Sequence, residues 1–127
     1  MSARTLPLSG IRILDLTRAT SGPYCTQMLA DLGADVVKIE RAPGGDLGRK
    51  IHLIEHGQSA LFLAACAGKK SLCVDFKNLK GLEIVGELVR QVDVVVENYS
   101  PGVMAKYGLD YASLKELNPR LIMCSVS

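Results

Sequence analysis

Basic side chains at the ends of predicted strands are the residues of this chain most suited to chemistry, and that chemistry is the binding of anions. Arg41 closes a predicted strand, and Arg49 lies in the loop that follows it. Forked guanidinium donors match the oxygens of phosphate groups. Residues 68–71 (GKKS) form a basic turn, but they lack the upstream glycine and the following helix of a GxxxxGK[ST] phosphate loop. Taken alone, these cations are typical of solvated surface charges, and a phosphate site remains the alternative.

The other titratable side chains do not form a recognisable catalytic or metal-binding pattern. His52 and His56 flank Glu55 in IHLIEHG, which is not the HExxH zinc motif, so surface histidines are favoured over a metal site. Cys25 lies in a predicted first helical turn, where the helix dipole could lower its pKa, although a packing role is favoured. Asp15 precedes a turn and is expected to accept N–H groups from it. No nucleophile has a base at a spacing that would indicate covalent catalysis.

Composition restricts the class of protein. The chain has 127 residues, enough for one domain with a real core, and its net charge of +2 does not favour a nucleic-acid-binding face. The amino terminus lacks a signal pattern, and no apolar run approaches the roughly 20 residues of a membrane span, so we expect neither secretion nor a membrane partner. The cysteines contain no CxxC pair and are predicted to be buried, reduced thiols of a cytoplasmic protein: Cys25, Cys66, Cys73 and Cys124.

The segment from residue 10 to residue 41 predicts the βαβ unit that would position the candidate side chains. Its first strand is nearly all apolar, as in parallel strands buried on both faces. Gly22-Pro23 opens the helix, and Gly33 ends it. The order is a strand, a polar loop, a helix and a second strand, at residues 11–16, 17–21, 22–33 and 36–39.

The rest of the chain continues the alternation of strands and helices. A long loop at 42–58 carries both histidines, and Ser59 and Asn78 are predicted to cap the helices that follow them. Later strands are predicted at 71–75, 92–97 and 121–126, with short helices at 103–107 and 111–117. This pattern indicates an α/β fold, a doubly wound parallel sheet of about five strands, in which ligands bind outside the carboxyl ends of the strands. Because the last strand runs out at Ser127, we expect the chain to be cut short.

Several longer motifs identify a family resemblance. Residues 8–41, LSGIRILDLTRATSGPYCTQMLADLGADVVKIER, closely resemble the opening of family III CoA-transferases. Further motifs follow in the family's order and spacing: PGGD at 43–46, GKKSLCVD at 68–75, VDVVVENYSPGVM at 92–104 and LNPRLIMCSVS at 117–127. The resemblance covers almost the whole chain and is weakest between residues 47 and 64.

The resemblance implies a Rossmann-like large domain in an interlocked, ring-shaped homodimer that transfers CoA from an acyl-CoA to a small carboxylic acid. Residues 1–127 would be the amino-terminal, CoA-binding part of that domain, without the smaller domain and the carboxyl-terminal segment. The family's nucleophilic aspartate is expected beyond Ser127, so no catalytic residue is expected within this chain. Coenzyme A or acyl-CoA is the implied substrate, and no metal is implied.

Individual site residues follow from the match to the family. Arg18 and its neighbours would lie near the thioester end of CoA, and Arg41 at its nucleotide portion. Formyl-CoA transferases look to have histidine and glutamine where Arg18 and Thr20 stand, which leaves the carboxylate specificity open. The implied CoA-binding residues are Arg18, Ala19, Thr20, Ser21, Arg41, Gly68, Lys69, Lys70, Asn98 and Tyr99.

Two alternative functions remain open at this point. The GKKS turn looks somewhat like that of α-methylacyl-CoA racemases in the same superfamily, whereas KIER at 38–41 and ENYSPG at 97–102 look more like transferases. A third reading is a truncated, non-catalytic chain that binds CoA or a full-length partner. An aspartate at the family's position beyond Ser127 would favour transfer.

Overall fold

A computed structural model describes residues 5–126 of the chain as alternating strands and helices. The strands are β1 (Arg12–Asp15), β2 (Asp35–Arg41), β3 (Ile54–Glu55), β4 (Gln58–Ser59), β5 (Lys70–Val74), β6 (Val94–Glu97) and β7 (Ile122–Ser125). The helices are α1 (Ser21–Asp31), α2 (Ala60–Cys66), α3 (Leu79–Val89), α4 (Val103–Lys106) and α5 (Tyr111–Leu117), with a 3-10 turn at Leu47–Lys50. No helix within residues 5–126 is long and apolar enough to cross a membrane.

The main sheet has five parallel strands in the order β5-β2-β1-β6-β7. Leu14 on the central strand β1 pairs with Val37 of β2 on one side and with Val95 of β6 on the other. The order of strands reverses between β1 and β6, and such a reversal opens a crevice at the carboxyl ends of the strands. The predicted doubly wound α/β sheet is therefore confirmed.

Apolar side chains on both faces of the sheet build the core. Ile13, Val36 and Val96 are buried on the face covered by α1. Leu14 and Val95, one residue along their strands, point to the opposite face, where α3 and α5 pack. The near-continuous apolar strands of the sequence thus reflect burial on both sides.

Polar caps fix the starts of the helices in the way the sequence predicts. The side chain of Ser59 accepts the N–H of Phe62 at the start of α2, and that of Asn78 accepts the N–H of Lys80 at the start of α3. Gly33 follows α1 with a φ of +103°, where a Cβ would lie 2.6 Å from the Cβ of Leu6. Both caps and the glycine stop are confirmed.

Two expectations from the sequence are wrong. Residues 42–58, predicted to be one long loop, contain the 3-10 turn and the antiparallel hairpin of β3 and β4. One helical turn and two strands of two residues each are too short to produce a periodic pattern. Cys73 and Cys124, predicted to be buried, are exposed because they lie on the edge strands β5 and β7. Cys25 and Cys66 are partly buried, and burial raises the pKa of both thiols, the opposite of the dipole effect considered for Cys25.

Candidate ligand site at the carboxyl edge of the sheet

Loops that leave β1, β2, β5 and β6 meet at the carboxyl edge of the sheet and enclose a cavity of about 320 Å³. The cavity lies at the position that the strand order predicts for a ligand. Its lining includes basic and aromatic side chains, among them Arg18, Arg41, Phe76, Lys77, Tyr99 and Tyr107.

The charge of this cavity suits an anion. Arg18, Arg41 and Lys77 line it, and among residues 5–126 none of the three is within salt-bridge distance of a carboxylate. Asp75 is the acidic residue of the lining, and its side chain already accepts the backbone N–H of Lys77. Cations that lack internal partners are available to a ligand, and guanidinium groups favour phosphate or carboxylate oxygens.

Arg18 is held in place through its backbone as well as its side chain. The amide oxygen of Asn98 accepts the N–H of Arg18 at 2.8 Å, and the amide nitrogen of Asn98 donates to the carbonyl of Arg18 at 2.9 Å. The guanidinium lies over the ring of Tyr99, 4.6 Å from its centroid. Burial raises the pKa of Tyr99, so the phenol stays neutral at physiological pH. At the crevice between β1 and β6, Arg18 is thus held by Asn98 at its backbone and by Tyr99 at its guanidinium.

The neighbouring peptide groups of the same loop are also bound by distant side chains. Lys38 donates to the carbonyl of Thr17 at 2.7 Å, and Asp46 accepts the N–H of Ala19 at 3.2 Å. Ala19 has a φ of 63°. A residue with a Cβ in this left-handed region costs about 1–2 kcal/mol. The conformation persists because the surrounding contacts impose it.

Lys69 belongs to a buried cluster beneath the first turn of α1. Its Nζ donates to Asp15 Oδ2 at 3.0 Å, to the carbonyl of Pro23 at 2.8 Å and to Thr26 Oγ1 at 2.7 Å. An ammonium has three protons, so these acceptors use all of its donors. Asp15 also accepts the N–H of Thr17, which confirms the expectation that it orders the following turn.

Lys70 lies at the other end of its strand. It pairs with Val37, whereas Val74 at the carboxyl end of β5 pairs with Arg41. Four residues of strand separate these positions by about 13 Å. The ammonium of Lys70 instead contacts the carboxylate of Asp35 at 2.7 Å on the surface.

The structure therefore divides the residues that the family match implies. Gly68, Lys69 and Lys70 are separated from the other implied residues. They precede or begin β5, whereas the cavity lies past the carboxyl end of that strand. The residues brought together at the carboxyl edge are Arg18, Ala19, Thr20, Ser21, Arg41, Asn98 and Tyr99.

Arg49, considered above as a phosphate ligand, is committed to an internal ion pair. Its Nε and a terminal nitrogen each lie 2.7 Å from the carboxylate of Glu40, and its guanidinium covers the ring of Phe62 at 3.9 Å. Glu40 also accepts the hydroxyl of Ser71 and the backbone N–H of Asp46. Arg49 and these hydrogen bonds lower the pKa of Glu40 to about 2. This cluster fixes the loop that leaves β2.

Some cavity residues were missed by reading the sequence. Phe76 and Lys77 follow the carboxyl end of β5, and Tyr107 directly follows α4. The rule that ligands bind past the carboxyl ends of parallel strands could have identified Lys77, since it lies three residues beyond the strand. His52 and His56 are exposed, and residues 5–126 contain no group of three side chains able to hold a metal ion.

A doubly wound parallel sheet with a basic cavity at its carboxyl edge defines a Rossmann-like α/β domain with a candidate site for an anionic ligand. The sequence model of CoA-transferase family III matches residues 8–127. The chain belongs to this family, which confirms the resemblance read from its motifs.

Similar proteins carry related names. A succinate–glutarate CoA-transferase of Agrobacterium fabrum is 46% identical over 134 residues, covering 100% of this chain and 34% of the relative. A formyl-CoA:oxalate CoA-transferase of Rhodopseudomonas palustris is 43% identical over 123 residues, covering 96% and 29%. The crystal structure of a CAIB/BAIF family protein from Brucella suis superposes with a TM-score of 0.90 at 43% identity, covering 98% of this chain and 34% of that one. The chain thus spans about a third of the length of the curated relatives it matches.

Proposed function

We propose that this chain forms the CoA-binding part of a CoA-transferase, an enzyme that moves CoA from an acyl-CoA to a small carboxylic acid. The observation that carries the proposal is the cavity at the carboxyl edge, which Arg18, Arg41 and Lys77 line with no carboxylate of residues 5–126 within salt-bridge distance. CoA is a polyanion with an extended shape, and a basic crevice along strand ends suits it. Membership of the family and the names of the relatives support the proposed reaction class.

The residues take distinct roles in this proposal. Arg41 and Lys77 bind phosphate oxygens of the nucleotide portion, while Arg18 and the peptide groups of Ala19 to Ser21 face the thioester end. Tyr99 supports the guanidinium of Arg18. We leave residues 68–70 out of the contact set because Lys69 has no free donor and Lys70 lies at the opposite end of its strand.

The wider assembly belongs to the same proposal. The family implies an interlocked homodimer, a nucleophilic aspartate beyond Ser127, and a cytoplasmic setting for the enzyme. The free cysteines, which form no disulfide among the described residues, favour a reducing compartment.

Substitution of Arg41 tests the proposal. Arg41→Ala should weaken CoA binding about tenfold, because a charge-assisted hydrogen bond to a phosphate contributes about 1.4 kcal/mol or more. The melting temperature should stay unchanged, since the side chain of Arg41 is exposed. Calorimetric titration of the chain with CoA measures the affinity, and a circular dichroism melt measures stability.

Lys70→Ala is the matched control, because it removes a basic side chain of the neighbouring strand that lies away from the cavity. It should leave the CoA affinity within about twofold of the wild type. Equal affinities for Arg41→Ala and the wild type would overturn the role of Arg41. A folded wild-type chain that does not bind CoA would overturn the proposal that this chain forms the site.

A further inference from the structure

We infer that Asp46 is a positioning residue of the ligand site: its buried carboxylate holds Ala19 in the left-handed conformation that carries the chain from Arg18, at the cavity, to the start of α1. The inference rests on the proposed function, because it concerns the same site. Asp46 belongs to the loop after β2, whereas Ala19 belongs to the loop after β1, 27 positions earlier. One side chain therefore links the two loops that border the cavity.

The carboxylate of Asp46 is engaged at both oxygens, and the residue is only 3% exposed. Oδ1 accepts the N–H of Gly48 at 2.6 Å as well as that of Ala19. Oδ2 lies 3.1 Å from Nζ of Lys38, which is 1% exposed and donates to the carbonyl of Thr17. Since Oδ2 accepts no hydrogen bond within residues 5–126, its contact with Lys38 is electrostatic. Lys38 and Asp46 thus hold the loop together, Lys38 at the carbonyl of Thr17 and Asp46 at the N–H of Ala19.

Asp46 is itself fixed from behind. Its backbone N–H donates to Glu40 at 2.9 Å, and Glu40 is paired with Arg49. Gly48 packs closely against the carboxylate of Asp46, since a Cβ at this position would come within 2.9 Å of Oδ1. A rigid support of this kind transmits position to the residue it holds.

Loss of the hydrogen bond to Asp46 would change the backbone conformation of Ala19. Alanine avoids a φ of 63°, so without the hydrogen bond from Ala19 to Asp46 the peptide would relax toward a negative φ. Asn98 grips the peptide groups on both sides of Arg18, immediately before the bend. A change of φ at Ala19 therefore redirects the chain between Arg18 and the start of α1, and with it the groups that face the ligand.

The test combines substitutions at positions 46 and 19. Asp46→Ala should weaken CoA binding roughly tenfold, because it removes the acceptor of the Ala19 N–H. Adding Ala19→Gly to Asp46→Ala should restore much of the lost affinity, because glycine adopts positive φ without strain. A role of Asp46 confined to capping the 3-10 turn predicts no such rescue. Equal affinities for Asp46→Ala with and without Ala19→Gly would overturn the inference.

Two further measurements test the same role of Asp46. If Asp46→Ala does not fold, Ala19→Val replaces it, because a β-branched residue cannot hold positive φ and Asp46 is left intact. It should cost the same roughly tenfold in CoA affinity, and unchanged affinity would overturn the inference. Amide hydrogen exchange needs no ligand: the N–H of Ala19 should be protected in the wild type and should exchange faster in Asp46→Ala, which lacks the Oδ1 acceptor. Failure of wild-type CoA binding with this protection intact would reject the proposed function while supporting the positioning role.

Discussion

Lys69→Met is expected to lower the free energy of unfolding by about 3–5 kcal/mol, because it breaks a buried ion pair by removing one partner. Asp15 is fully buried, and its carboxylate would lose the cation that balances it. Thr26 and the carbonyl of Pro23 would lose the same donor. Chemical denaturation of the chain, followed by circular dichroism at neutral pH, measures the loss.

The adjacent lysine provides a matched control. Lys70→Met removes the same charge one residue later, but the side chains of Lys70 and Asp35 are 69% and 47% exposed. Exposed pairs contribute about 0–1 kcal/mol, so this variant should unfold nearly like the wild type. A Lys69→Met variant of wild-type stability that has lost CoA affinity would show that Lys69 binds the ligand and that the cluster does not hold it.

The different environments of these two lysines cannot be predicted from the sequence. The motif at 68–71 is basic and lies in a turn, which supports solvation or phosphate binding equally well. The decisive partner of Lys69 is Asp15, 54 residues away, and only the packing of α1 against the sheet brings it near. Neither spacing nor local chemistry encodes that contact.

Features that depend on neighbouring residues were predicted well. Apolar runs located the central strands, and Ser59 and Asn78 were identified as caps because a cap acts within three residues. The edge positions of β5 and β7 follow from the order of strands, which the local pattern does not contain. The exposure of Cys73 and Cys124 was mispredicted for that reason.

The candidate site was predicted in part. Arg18 and Tyr99 follow strands of the main sheet and Arg41 ends one, so the rule for parallel sheets brings them to one edge. Lys38 could not be predicted as a buried cation, because a lysine within the apolar segment VVKIE only interrupts the pattern of a buried strand. It is buried because the carbonyl of Thr17 and the carboxylate of Asp46 satisfy it. The buried residues that support the site, such as Lys38 and Asp46, are thus harder to predict from the sequence than the residues that line the cavity.

Glu40→Gln is expected to remove about 3 kcal/mol of stability at neutral pH and almost none at pH 2. Arg49, the largest cause, lowers the pKa of Glu40 from 4.5 to about 2 on folding. Between these values the unfolded chain binds more protons than the folded chain, so stability rises with pH. The contribution of Glu40 is fully present above pH 4.5 and is lost as the pH falls toward 2. The measurement is the difference in free energy of unfolding between the wild type and Glu40→Gln across this range.

An exposed Glu–Arg pair at the carboxyl end of α3 separates this effect from general acid destabilisation. Glu87 and Arg90 lie 3.4 Å apart, with side chains 71% and 50% exposed. Solvent screens such a pair, so Glu87→Gln should change stability by less than about 1 kcal/mol at any pH. Arg49→Leu should flatten the pH dependence in the same way as Glu40→Gln, because it removes the guanidinium that lowers the pKa of Glu40. If Glu40→Gln and Glu87→Gln differed from the wild type equally, the buried pair would not be the source of the acid sensitivity.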